Sequence, residues 1–135
     1  MMQGTTSAQS GAVLYAKDVQ RVAVFYSAVA GLQTAGGDDD HVVLESPHVQ
    51  LVVVRIPNEI ASSIEITTPP ARRTRTPVKL VFFVPRLAAA RASAEAHGGG
   101  MNPADTEWSF QGSLVCDGYD PEGNVIQLRE HQRQP

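Results

Sequence analysis

The two halves of the chain repeat one order of elements. Each half begins with a β-strand and a helix and continues with a turn-rich stretch and further strands, and the segments LYAKDVQRVAVFY and FFVPRLAAARASA occupy the same place in each half. Half of a 135-residue chain is too short to bury a sheet face alone. The duplication therefore predicts an α+β fold in which two modules pack or curve together around a shared cleft.

Turn and cap residues set the bounds of the first module at residues 11–56. Asp18 is placed to cap a helix, the apolar residues that follow it recur at helical spacing, and Gly31 is placed to end that helix. The runs HVVLE and VQLVVVRI are rich in β-branched residues and are separated by the short turn SPH. This pattern predicts a β-hairpin.

The second module is predicted at residues 78–130, after a linker at 57–77 that is rich in Pro, Ser, Thr and Arg. It begins with the apolar strand VKLVFFV. Residues 85–97 have the Ala-rich composition of a helix and are followed by three glycines. FQGSLVCD and VIQLRE are predicted strands on either side of the turn GYDPEG. Residues 1–10 are expected to be a disordered polar leader, and residues 131–135 a tail.

Charge and composition exclude several classes of partner. A net charge of −3 and a pI near 5.7 give no basic field to hold phosphate backbones, so no nucleic acid is expected. No apolar run approaches the roughly 20 residues of a membrane span, so no membrane association is expected. The single Cys116 excludes an internal disulfide and fits a cytoplasmic location. The basic stretch ARRTRTP is interpreted as a solvated loop in preference to an anion site.

Two segments resemble the vicinal oxygen chelate superfamily, which includes glyoxalase I, bleomycin-resistance proteins, fosfomycin-resistance enzymes and extradiol dioxygenases. They are YAKDVQRVAVFYSAVAGL in the first module and DGYDPEGNVIQLRE in the second. The resemblance implies paired βαβββ modules that form a curved mixed sheet around a cleft, and it implies a homodimer. In metal-dependent members the ligands come from the first and last strands of each module and face the cleft.

The residues at the four ligand positions do not make a metal site. The resemblance places these positions at Gly11, near Leu51, at Lys79 and at Gln127. Glycine and leucine offer no donor atom, an ammonium group repels a cation, and one neutral amide cannot hold an ion. We therefore expect no metal and no cofactor. Gln127 is interpreted as the mark of a cleft that keeps the family's shape without its metal.

The predicted hairpin offers a second metal hypothesis. His41, Glu45 and His48 supply two imidazoles and a carboxylate, which could bind zinc. His41 and Glu45 share one strand face, but His48 lies beyond a turn that contains proline. A solvated hairpin is therefore favoured over a metal site.

Alternation along the predicted strands gives the cleft an apolar surface with a few polar groups, as in sites for small ligands. The expected ligand-binding residues are Tyr15, Leu51, Lys79, Phe83, Trp108 and Gln127. Three of these have structural alternatives, because Lys79 could pair with an acidic neighbour, Trp108 could be a packing residue, and Tyr15 could be buried. Cys116 is interpreted as a small core residue, not as a nucleophile.

An intact scaffold without a metal-ligand set favours one function. We predict a metal-independent protein that binds a planar or anionic small molecule and sequesters it. The alternative is an enzyme of the same superfamily, a glyoxalase-like lyase, an isomerase or a dioxygenase, that uses a displaced metal or Lys79 as a base or carbonyl-activating amine. A third hypothesis is a regulatory subunit without a ligand. The expected partners are the small molecule and a second copy of the chain.

Overall fold

The computed structural model describes residues 9–132, which fold into two modules of the same design. The first module contains β1 (Ser10–Ala16), α1 (Val19–Ala30), β2 (Gln33–Gly37), β3 (His41–Ser46) and β4 (Val49–Arg55). The linker contains a short helix, α2 (Asn58–Ala61). The second module contains β5 (Leu80–Phe83), α3 (Leu87–Ala96), β6 (Gly100–Met101), β7 (Trp108–Phe110), β8 (Ser113–Tyr119) and β9 (Val125–His131). Most of the predicted leader and the end of the predicted tail lie outside the described residues.

Each module forms an open, mixed sheet. In the first sheet the strand order is β1-β4-β3-β2, with β1 parallel to β4 and the other neighbours antiparallel. In the second sheet the order is β5-β9-β8-β6, with β5 parallel to β9 and the short strand β7 paired to β8. The predicted α+β fold of paired modules is confirmed, and β7 is an addition to the second module.

Both predicted helices are confirmed. The Asp18 side chain accepts a hydrogen bond from the backbone N–H of Arg21 at 3.1 Å, and α1 ends at Gly31, whose φ of 72° suits a residue without a side chain. The second long helix begins at Leu87 and ends before Gly98, which also has a positive φ. No helix within residues 9–132 is both long enough and apolar enough to cross a membrane.

Helices α1 and α3 lie on one side of the sheets and bury a core that both modules share. The Tyr26 ring packs against Phe25 of the same helix and against Phe82 of β5, with centroids 5.1 and 5.6 Å apart. Alternate strand residues complete the core, as expected for half-buried strands, and include Val42, Leu44, Leu51, Val53, Ile126 and Leu128. Neither helix covers the opposite sides of the sheets, which we call the open faces.

The DPEGN turn joins the second module to the first helix. Asp120 is fully buried, and its carboxylate accepts a hydrogen bond from the Tyr26 hydroxyl at 2.7 Å as well as three hydrogen bonds from its own turn. The Glu122 carboxylate accepts from the backbone N–H groups of Lys17 and Asp18 at 2.9 and 2.8 Å. Burial raises the pKa of Asp120. Burial together with the Asp120 carboxylate raises the pKa of Tyr26 well above its ordinary value. These acidic residues thus have a structural role.

The arginine-rich linker packs in part on the second module. Arg73 is half-buried, and its Nε donates to the carbonyl oxygen of Glu122 at 3.1 Å. The guanidinium of Arg72 lies over the Tyr119 ring, 4.5 Å from its centroid. The interpretation of this stretch as a solvated loop is therefore wrong for Arg73.

Candidate functional site

Strand register places several of the predicted site residues on the open face of the second sheet. Gln127 of β9 lies opposite Val81 of β5 on one side and Asp117 of β8 on the other. Two residues further along β9, Arg129 lies opposite Phe83. Directly opposed residues point to the same side of a sheet, so these side chains share one surface.

A continuous row of contacts links the charged side chains of this surface. Lys79 Nζ lies 2.8 Å from Asp117 Oδ2, and Gln127 Nε2 donates to Asp117 Oδ1 at 3.1 Å. At its other end, Gln127 Oε1 accepts from Arg129 Nε at 2.8 Å. An amide both donates and accepts, so Gln127 can join a carboxylate to a guanidinium, whereas a glutamate here would repel Asp117. We call Lys79, Asp117, Gln127 and Arg129 the polar row.

Exposed aromatic side chains flank Arg129, and we call Phe83, Phe110 and Trp108 the aromatic group. The guanidinium carbon of Arg129 lies 5.1 Å from the ring centroid of Phe110 and 5.7 Å from that of Phe83, which is within cation–π range. Trp108 belongs to the same face because it pairs with Val115, which in turn pairs with Arg129. The three aromatic side chains are 41% to 51% exposed, and clustered apolar surface of this kind often marks a binding site.

Leu51 does not lie on an open face, contrary to the sequence prediction. The parallel register pairs Gly11 of β1 with Gln50 and not with Leu51. The Leu51 side chain is only 1% exposed and lies in the core. A shift of one residue along a strand moves a side chain to the other face. The open face of β4 therefore carries Gln50, Val52 and Val54.

Tyr15 lies on the open face of the first sheet. It is 59% exposed, as is Val13 on the same face of β1, so the alternative of a buried Tyr15 is wrong. The residues predicted to bind a ligand are thus divided between two sheets. The second sheet brings together Lys79, Phe83, Trp108 and Gln127, while the first contributes Tyr15.

The donor set at the metal-ligand positions implied by the resemblance does not fit a divalent cation. Gly11 has no side chain, and a Cβ placed there would lie 2.5 Å from the Gln50 carbonyl oxygen. The Gln50 amide, which takes the position predicted for leucine, is bonded to a neighbouring carboxylate. Lys79 and Gln127 are both bonded to Asp117. An ion at Gln127 would also meet the repulsion of the adjacent cationic side chains.

The hairpin residues do not converge either. His41 Nδ1 lies 2.9 Å from Asp38 Oδ1, Glu45 accepts a hydrogen bond from Gln50, and His48 is exposed in the turn. Within residues 9–132, no group of three or more His, Cys, Asp and Glu side chains is placed to hold a metal ion. The favoured interpretation of a solvated hairpin agrees with this arrangement.

Three residues of the polar row and the aromatic group were not among the predicted ligand-binding residues: Asp117, Arg129 and Phe110. Arg129 follows Gln127 by two residues, so the alternation of β9 is sufficient to indicate it. The other two lie on strands whose register with β9 is not encoded in any local pattern. Cys116, next to Asp117, is fully buried, which confirms its interpretation as a core residue.

A sequence profile described as a glyoxalase-like domain matches residues 11–129 of the chain. This range includes both modules and the linker between them. No curated protein sequence matches the chain significantly.

Several solved structures have the same fold. A glyoxalase/bleomycin resistance protein/dioxygenase family enzyme from Burkholderia phytofirmans PsJN has a TM-score of 0.64 at 16% identity, with 92% of this chain and 98% of that chain covered. A genomically encoded fosfomycin resistance protein from Listeria monocytogenes has a TM-score of 0.62 at 14% identity, with 100% and 96% covered. The bleomycin-binding protein of Streptomyces verticillus, complexed with copper(II)-bleomycin, has a TM-score of 0.55 at 16% identity, with 99% and 100% covered. At these identities the likeness establishes the fold alone.

Proposed function

Because the chain belongs to the glyoxalase-like domain family, we propose that it binds a small molecule on the open face of its second sheet without a resident metal ion. The observation that supports this function is the state of Gln127, whose amide is bonded at both ends. To ligate a metal, its oxygen would have to leave Arg129, and the ion would then be repelled by the nearby positive charges of Arg129 and Lys79. The side chains present suit an organic ligand better than a cation.

The surface around the polar row suits a molecule that is planar or anionic. Sites for small ligands combine a mostly apolar lining with a few placed polar groups, and the aromatic group and the polar row supply these two parts. Two proteins with this fold are named after small molecules: one is a bleomycin-binding protein and the other is a fosfomycin resistance protein. We propose sequestration, which is tight binding without turnover, as the activity of this chain.

We further propose that the protein is a cytoplasmic homodimer. Val13 and Tyr15 expose apolar surface on the open face of the first sheet, and a second copy of the chain would cover it. The single cysteine is buried and makes no demand for an oxidising compartment. Light scattering coupled to size exclusion should give twice the chain mass of 14.5 kDa. A complex with a different protein would instead support the hypothesis of a regulatory subunit.

The enzyme hypothesis has less support from the side chains. A lysine that acts as a base or amine nucleophile is activated by desolvation or by another cation. Lys79 is instead 40% exposed and paired with Asp117. Loss of a detected turnover in the Lys79→Met variant would nevertheless revive this hypothesis, while retention of that turnover would exclude the lysine mechanism.

A thermal-melt screen of planar and anionic compounds on EDTA-treated protein tests the proposed function. At about 100 times its Kd, a ligand adds about 2.7 kcal/mol to the free energy of unfolding, which raises Tm by several degrees. The shift should be the same with and without added Zn, Ni, Mn or Fe(II). A shift that requires a metal ion, or a library in which no compound raises Tm, would contradict the proposal.

A further inference from the structure

We propose that Arg129 is the anion-binding residue of the second open face and that its ligand is a carboxylate attached to a flat aromatic system. This inference rests on the proposed function, because it names the class of molecule that the same site binds. It is based on three features of the site: the unused donors of Arg129, the charge balance of the polar row, and the aromatic group beside it.

The guanidinium of Arg129 has donors that the fold does not use. An arginine side chain carries five N–H groups. Within residues 9–132, only Nε of Arg129 donates a hydrogen bond, to Gln127 Oε1 at 2.8 Å. The N–H groups on Nη1 and Nη2 have no acceptor among these residues. Two such groups on a planar fork match the two oxygens of a carboxylate.

Arg129 is also held in place before any ligand arrives. Its Nε is fixed by Gln127, which is itself fixed by Asp117. The Phe83 and Phe110 rings contact the guanidinium, and the ring of His131 stacks on Phe83 with a centroid distance of 4.7 Å. A side chain that is already ordered loses little freedom when it binds an anion.

The charge balance of the polar row leaves Arg129 without a matching anion. Lys79 and Asp117 lie 2.8 Å apart and neutralise each other. The acidic residue that follows Arg129, Glu130, lies on the other side of the sheet, where it accepts a hydrogen bond from the backbone N–H of Leu87 at 2.7 Å. The row thus presents one net positive charge on a chain whose net charge is −3.

The aromatic group selects the rest of the ligand. The exposed rings of Phe83 and Phe110 lie 5.7 and 5.1 Å from the guanidinium carbon of Arg129 and would offer stacking surface beside a carboxylate held there. A compact inorganic anion would use the guanidinium and leave this apolar surface in water. A flat aromatic carboxylate would use both, and this complementarity favours it over free phosphate.

Calorimetric titration with 2-naphthoate and its neutral analogue 2-naphthamide tests the inference on EDTA-treated protein. Naphthoate should bind about 10- to 100-fold more tightly than the amide, because hydrogen bonds to a charged group contribute that much. Inorganic phosphate should bind more weakly than naphthoate. The Arg129→Met variant should bind naphthoate about 10- to 100-fold more weakly than the wild type does. Its affinity for the amide should stay within about threefold of the wild-type value, because the apolar contacts are retained. Arg129→Lys keeps the charge and loses the planar fork, so its affinity for naphthoate should lie between those of the wild type and Arg129→Met.

Arg75→Met is the matched control, because Arg75 is exposed in the linker and its loss changes the net charge by the same amount. It should bind both probes as the wild type does. Equal affinity for naphthoate and naphthamide, or unchanged naphthoate binding in Arg129→Met, would overturn the inference while the proposed function stands. Failure of naphthoate to bind would also overturn it, and a change from dimer to monomer in Arg129→Met would then show that a second copy covers the face. Failure of the proposed function would be seen separately, as a thermal-melt screen in which no compound raises Tm without an added metal ion.

Discussion

Gln127→Glu is a direct test of why an amide occupies this strand position. The substitution keeps the size of the side chain and its bond to Arg129, but it places a carboxylate where Gln127 Nε2 now donates to Asp117 at 3.1 Å. Two unit charges at that separation repel by about 5 kcal/mol at an effective dielectric constant of 20. Partial exposure and the nearby cations reduce the effect, so we expect a loss of about 1–2 kcal/mol in the free energy of unfolding near neutral pH.

The sign of the pH dependence distinguishes this repulsion from a packing defect. Repulsion raises the pKa of one carboxyl of the pair in the folded protein, so its contribution to stability declines as pH rises through that value. Urea unfolding of the variant should therefore show a larger deficit at about pH 8 than at about pH 4. Gln132→Glu, at an exposed position after β9, is the control and should match the wild type at both pH values. A deficit that is independent of pH, or no deficit at all, would show that repulsion from Asp117 is not the reason for an amide at this position.

Two further predictions concern the fold that carries the site. Asp120→Asn should cost about 1–3 kcal/mol, because a buried amide cannot accept all four hydrogen bonds that the carboxylate accepts. Burial raises the pKa of Asp120, so the wild type loses stability relative to this variant as pH rises above the ordinary value of 3.8. The urea midpoints of the two proteins should therefore differ more at about pH 4 than at about pH 7. The opposite trend would contradict a raised pKa for Asp120. Gly11→Ala should lower the free energy of unfolding by about 1–3 kcal/mol, because the new Cβ would lie 2.5 Å from the Gln50 carbonyl oxygen. Gly36→Ala is the control and should be neutral within about 0.5 kcal/mol, because there is open space around Gly36. Equal urea midpoints for the two variants would exclude a steric cause.

Local signals predicted α1 because both of its ends are encoded in single residues. Asp18 and Gly31 act through their own side chain and backbone, without reference to the rest of the fold. Strand β2 was not predicted because QTAGG is rich in glycine and lacks an apolar face, being exposed at every residue. Its pairing with β3 holds it in place, and that pairing is a tertiary property.

The error at Leu51 has a similar origin. The sequence VQLVVVR is apolar on both faces of the strand, so alternation of hydrophobicity does not tell which face is buried. Only Gln50 marks the open side, and the register with Gly11 settles the assignment. Asp117 was missed for a related reason, since its contact with Gln127 depends on the pairing of β8 with β9.

Elemental analysis of the purified, tag-free protein, with thermal melts before and after addition of Zn, Ni, Mn or Fe(II), shows whether the protein has a resident metal ion. We expect far less than one metal ion per chain and no rise in Tm with any of the four ions. A stoichiometric metal, or a clear rise in Tm with one ion, would contradict the proposal that the open face binds its ligand without a resident metal.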